Sequence, residues 1–125
     1  MTGSTQPPRR FPRFVFDHGS EPDPRFSLAN ERTYLAWIRT ALALTAGGVA
    51  LELLGGDLNP ILRAIAATIL IAAGTSIPLL AWHDWAANER ALRRERPLRP
   101  GTMSVAIAVA IVAAGALTLA ASVWP

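Results

Sequence analysis

Two arginines, Arg32 and Arg39, stand seven residues apart where apolar sequence begins. At about 100° per helical residue they lie about 20° from one another, on one face. Ala43, Ala46 and Ala50 continue that stripe, so it narrows from guanidinium to small side chains. A guanidinium matches phosphate oxygens in a planar fork and keeps its charge. Arg32 and Arg39 are therefore candidate anion-binding residues, with Glu31 beside them as a supporting charge. Two structural readings compete with this one. Arg39 can snorkel back to lipid headgroups, or the stripe can pair with Glu31 of a neighbouring helix.

A second charged pair is Glu52 and Arg63. Glu52 lies three residues before Gly55 and Arg63 three after Pro60. They should sit at similar depth on either side of a tight turn, where a salt bridge would offset the cost of placing each near lipid. The alternative is a charged ring around a pore. On a straight helix Glu52 falls about 160° from Arg32, which counts against one pore lined by both. Arg90, Arg93, Arg94 and Arg96 form a basic, amphipathic connector suited to anionic headgroups or to a soluble partner. His83-Asp84 is an isolated pair and a poor acid–base centre. No phosphate-binding loop, dinucleotide fingerprint or nucleophile elbow occurs. Cysteine is absent and only two histidines exist, so no metal centre or cofactor is expected.

The elements that position these charges are apolar segments. The chain has 125 residues, 51% of them apolar. Residues 64–82 and 103–124 carry no charge and are 19 and 22 residues long. About 20 residues cross the hydrocarbon core, so both read as transmembrane helices. The first segment, 41–54, is too short alone. Extended to about 33–54 it spans, but then it carries Arg39 near one end and Glu52 near the other. The fold class expected is an all-α integral membrane protein with spans at about 33–54, 62–82 and 103–124. Asp23-Pro24 can cap and open the first helix, with Ser27 a second candidate cap. Gly55-Gly56-Asp57 closes it and Asn59-Pro60 opens the next, which makes a tight antiparallel hairpin. The second helix ends near Trp82 or continues to about Arg94. Residues 1–24 hold five of the ten prolines and little aliphatic sequence, and are expected to form a disordered basic arm. Phe11, Phe14 and Phe16 of that arm are placed to touch a membrane surface beside its arginines.

All twelve basic residues are arginine, and eleven fall on one side of these spans. That bias predicts a cytoplasmic N-terminus and an external C-terminus. It also accounts for a pI of about 11.0 without nucleic acid. Small residues recur every fourth position at Ala106, Ala110, Ala114, Thr118 and Ser122, and at Ala43 and Gly47. Such stripes permit close helix packing, within the chain or between protomers. Pro78 should bend the second span, with Thr75 and Ser76 helping to satisfy the freed carbonyls.

The run Asp23-Pro24-Arg25-Phe26-Ser27-Leu28-Ala29-Asn30-Glu31-Arg32-Thr33-Tyr34-Leu35-Ala36-Trp37-Ile38-Arg39-Thr40 closely resembles the opening motif of the YidH family. Arg90-Ala91-Leu92-Arg93-Arg94 and Pro97-Leu98-Arg99-Pro100 are similar to its second connector. These are small bacterial inner-membrane proteins classed as a domain of unknown function, and the resemblance implies three membrane helices. The same domain type resembles the membrane part of the eukaryotic vacuolar transporter chaperone complex, whose first helices face a polyphosphate path. By that resemblance Arg32 and Arg39 would face such a path. The chain lacks the attached cytosolic polymerase and phosphate-sensing domains, so the parallel is one of fold. The function expected is a non-enzymatic, self-associating membrane protein that binds or conducts an anion such as phosphate or polyphosphate. The alternative is a structural adaptor within another membrane complex.

Overall fold

The computed structural model describes residues 10–17, 19–98 and 102–124. Arg9 and Arg99, counted above for topology, lie outside them. The order is α1 (Arg13–Phe16), α2 (Pro24–Leu54), α3 (Pro60–Arg93) and α4 (Met103–Val123). No strand occurs among the described residues. Three of these helices are long and apolar enough to cross a membrane. At 1.5 Å per residue, the 21 residues of α4 measure about 31 Å, close to the hydrocarbon thickness. The 31 residues of α2 and 34 of α3 are longer than a bilayer core requires. Their surplus projects together at the arginine-rich end, because the two helices are antiparallel.

Local chemistry sets the helix ends. Asp23 accepts a hydrogen bond from the Arg25 N–H at 2.9 Å and caps α2, with Pro24 in its first turn. Ser27 is inside the helix and caps nothing. Gly55 ends α2 by donating its N–H to the Leu51 carbonyl. The Asn59 side chain accepts from the N–H groups of Ile61 and Leu62, opening α3 at Pro60. Its own N–H donates to the Ala121 carbonyl at 3.0 Å and ties the hairpin to the end of α4.

α3 is the middle helix. α2 and α4 both pack along it, while their backbones stay apart. The core comprises Ala41, Leu44, Ile77, Ala81, Met103 and Ile107, flanked by Tyr34 and Trp37. Glycine sets the α2–α3 separation. A methyl group at Gly48 would lie 2.6 Å from Ile71 Cγ1 and 2.9 Å from the Ala67 carbonyl. One at Gly74 would collide with Thr45 Oγ1 and lie 2.8 Å from the Ala41 carbonyl. This is close backbone approach through small residues, as helices in lipid favour.

The small-residue stripes expected from sequence are only partly used. Ala43 and Gly47 are exposed, and the adjacent Gly48 makes the contact instead. On α4 the buried residues are Met103, Ile107, Ala114 and Ala121, whereas Ala106 and Ser122 are exposed. The reason is geometric: a strict four-residue spacing drifts about 40° per step, so such a stripe leaves the contact face within two turns. Pro78 lies inside an unbroken α3. Thr75 and Ser76 donate to the Ile71 and Ala72 carbonyls, not to the Gly74 carbonyl that proline leaves without its usual donor.

The arm departs from the disorder expected of residues 1–24 in its described part. Val15 is fully buried, and α1 packs on α3. Two aromatic contacts supply the missing aliphatic burial: Phe14 meets Trp82 and Phe16 meets Trp85, both edge-on.

Gly74→Ala is expected to destabilise the folded protein by about 1–3 kcal/mol through overpacking. Gly47→Ala, whose added methyl meets nothing within 4 Å, should be neutral or stabilising. Reversible unfolding titrations in mixed micelles measure the difference.

Candidate functional site

The polar groups of the chain gather at the two ends of the α2–α3 pair. At the hairpin end Arg63 donates to the Gly55 carbonyl at 2.9 Å and to Glu52 Oε1 at 3.5 Å. Arg63 is largely covered, whereas the Glu52 side chain is about half exposed. The guanidinium thus reaches back across the turn and satisfies a carbonyl at the C-terminus of α2 while touching the carboxylate.

At the opposite end three segments meet around Glu89. Its carboxylate is 4% exposed. Ser27 Oγ donates to Glu89 Oε1 at 2.8 Å. Asn30, also buried, donates to the Trp85 carbonyl at 3.0 Å and to Glu89 Oε2 at 3.4 Å. One turn along α3, Arg93 lies 3.9 Å from Glu89. Arg93 also donates to Glu21 at 3.2 Å and to the Phe16 carbonyl at 3.3 Å. Its guanidinium stands 4.7 Å over the Phe16 ring. Arg10 completes the group through a 2.9 Å bond to Glu21. Gly19, at φ +68°, lets the arm turn against the Arg93 carbonyl, which accepts from the Ser20 N–H. The Glu89 carboxylate accepts from Ser27 and Asn30 of α2 and has Arg93 beside it, which fixes its geometry. It acts as a latch joining arm, α2 and α3.

Arg93 therefore differs from its neighbours in the connector. It was expected at lipid headgroups, yet it is 4% exposed. The Glu89–Arg93 spacing of one helical turn places it on the inward stripe of α3 beyond Ala86. Arg94 and Arg96 remain exposed, and Arg90 is half-buried with its guanidinium over the Phe14 ring. A cleft of about 560 Å³ opens beside the latch between α2, α3 and the start of α4, walled by Tyr34, Trp37, Trp85 and Asn88.

Arg32 and Arg39 lie elsewhere. Both are exposed, as is Glu31, and none has an ion pair or side-chain hydrogen bond among the described residues. The buried seam of α2 runs through Asn30, Tyr34, Trp37, Ala41, Leu44 and Gly48. Arg32 is two residues from Asn30 and so points about 160° away from it. The two arginines share one face, and that face looks out of the three-helix unit.

Sequence reasoning missed Ser27, Asn30 and Glu89. The signal available was the alternating four- and three-residue seam in which Asn30 occupies a core position, together with the Glu89–Arg93 pair. Among the described residues no group of acidic or histidine side chains could hold a metal ion.

The fold and its two polar ends define a small integral membrane protein with three transmembrane helices. Residues 25–91, which cover nearly all of α2 and α3, match the family described as a domain of unknown function, DUF202. Inner membrane protein YidH of Escherichia coli (strain K12) is 44% identical over 90 residues, 71% of this chain and 77% of that protein. An uncharacterized protein of Mycobacterium tuberculosis (strain ATCC 25618 / H37Rv) is 41% identical over 108 residues, 82% of this chain and 88% of the relative. No solved structure matches. The chain belongs to the YidH (DUF202) family. The matched region contains Ser27, Asn30 and Glu89 as well as Arg32 and Arg39.

Two outcomes follow from these geometries. Glu89→Ala should destabilise by about 2 kcal/mol, since it removes the buried acceptor of Ser27 and Asn30, and should increase protease cleavage within residues 10–22. At the hairpin, Arg63→Ala should cost about 1.5 kcal/mol because a charged hydrogen bond to a carbonyl is lost. Glu52→Ala should cost about 0.5 kcal/mol, as for an exposed pair. A double-mutant cycle that shows no Glu52–Arg63 coupling would reject a salt bridge across the hairpin.

Proposed function

We propose that this protein is a non-enzymatic, self-associating membrane subunit whose copies bring Arg32 and Arg39 together to bind or conduct an anion, such as phosphate or polyphosphate. The observation that carries the reading is the position of Arg39. It is 15 residues from Leu54, the end of α2, or about 22 Å along the helix. With a hydrocarbon core of about 30 Å this puts Arg39 about 8 Å inside, facing away from its own bundle. A guanidinium held there without a partner is costly unless it faces protein, water or an anion.

The surrounding face supports a second copy as the covering. Leu28, Arg32, Leu35, Arg39, Leu42, Ala46, Val49 and Leu53 alternate at four- and three-residue spacing, and all are exposed. That is the spacing of a helix seam that meets a like helix. The arginines occupy the arginine-rich end of the seam and apolar residues the rest. The arginine asymmetry supports a cytoplasmic location for that end. The name of the Escherichia coli relative supports the bacterial inner membrane as the location.

The chain has no cysteine, so single-cysteine crosslinking is clean. Leu35→Cys and Val49→Cys should each form disulfide-linked homo-oligomers in native membranes, while Leu79→Cys on α3 stays monomeric. In proteoliposomes, Arg39→Gln should lower phosphate or polyphosphate flux at least about tenfold, with Arg39→Lys retaining part of it. A monomeric Leu35→Cys protein, or flux equal to empty vesicles for the wild type, would overturn the proposal. Capture of one different membrane protein at Leu35 would instead identify an adaptor.

A further inference from the structure

The short helix α1 has two dissimilar sides. Phe16 faces inward, against Trp85 and beneath Arg93. Phe14 stands 5.6 Å from Trp82 yet stays 43% exposed. Phe11, three residues earlier, is 88% exposed. Trp82 closes the uncharged run of α3 and is followed by His83 and Asp84, so it marks the boundary of the hydrocarbon at that end. Contact with Trp82 therefore fixes α1 at the level of lipid headgroups, with Leu79 exposed one turn deeper on α3. Two cations accompany the aromatic rings. The Arg90 guanidinium lies 5.5 Å over Phe14. Arg13 is exposed on α1 itself and has no side-chain partner among the described residues. Arg10, by contrast, is engaged by Glu21.

We propose that α1 is a membrane-surface anchor selective for anionic phospholipid: Phe11 and Phe14 enter the acyl boundary, and Arg13 and Arg90 hold lipid phosphate. Depth argues for lipid as the occupant, because the bilayer is the neighbour present at the level of Trp82. Charge argues for anionic lipid, since two cations flank the rings and the nearby carboxylate of Glu21 is already paired. The anchor is mechanically joined to the latch, because the backbone carbonyl of Phe16 and the side chain of Glu21 are both held by Arg93. Seating of α1 in the leaflet is thereby coupled to the registry of α2 and α3 at the arginine-rich end. This anchor is independent of the anion reading for Arg32 and Arg39.

Spin labels at Phe11→Cys and Asp17→Cys test it in nanodiscs of phosphatidylcholine, alone or mixed with phosphatidylglycerol. In the anionic discs the label at 11 should collide more with oxygen than with a water-soluble nickel chelate, and the label at 17 should show the reverse order. In phosphatidylcholine alone, or after Arg13→Gln with Arg90→Gln in the anionic discs, the label at 11 should lose its oxygen preference. A water-like signal at 11 in both lipids overturns the anchor. An equal oxygen preference in both lipids overturns the selectivity for anionic headgroups, whatever the arginine variants do.

Discussion

The close approach of α2 and α3 at Gly48 and Gly74 governs the orientation of everything else on α2. In lipid there is no hydrophobic drive between helices, so contact depends on backbones coming near enough for dense packing. The two glycines allow that, and they bring the face containing Leu44, Ala41 and Trp37 inward. Once that face is inside, helical geometry leaves Arg32 and Arg39 outside. The outward direction of the arginines is a consequence of the glycine contact, and so is the apolar seam that accompanies them.

The two polar ends then solve different problems with the same chemistry. Each uses an arginine and a carboxylate together with backbone carbonyls. At the hairpin, Arg63 serves a turn where carbonyls at the end of α2 lack helical donors, and Glu52 remains half in contact with the surroundings. At the arginine-rich end, Glu89 is buried and its carboxylate accepts from Ser27 and Asn30 of α2, with Arg93 of α3 beside it. The second arrangement specifies registry more strictly, because a buried carboxylate tolerates little displacement of its partners. It also recruits residues of the arm, which are too poor in aliphatic side chains to fold by themselves.

The remaining surface divides by what can cover it. The α1 side offers aromatic rings at headgroup level with cations beside them. The outer side of α2 offers a seam of helical spacing with the exposed guanidinium groups of Arg32 and Arg39 toward its arginine-rich end. On the proposed readings the first would meet lipid and the second a like helix.

Much of the fold was legible in the residues alone. Uncharged runs of bilayer length, the Asp23-Pro24 and Asn59-Pro60 openings and the Gly55 stop depend on local physics: the cost of charge in hydrocarbon and the geometry of capping. The arginine stripe was legible for the same reason, because residues seven apart share a helix face wherever the helix lies. What periodicity could not supply was the choice among competing faces. An alanine-rich helix has several stripes of small residues, and only the three-dimensional fit of α2 on α3 selected Gly48 over its neighbour Gly47. Likewise Arg93 looks like Arg94 and Arg96 in sequence. It is buried because its stripe of α3 meets the arm and Glu89, a contact between segments 72 residues apart. Sequence determined the three long helices and the caps that open α2 and α3, which follow from bonds and solvent within a few turns. Tertiary structure decided which side of each helix faces protein, because that depends on which backbones can approach one another.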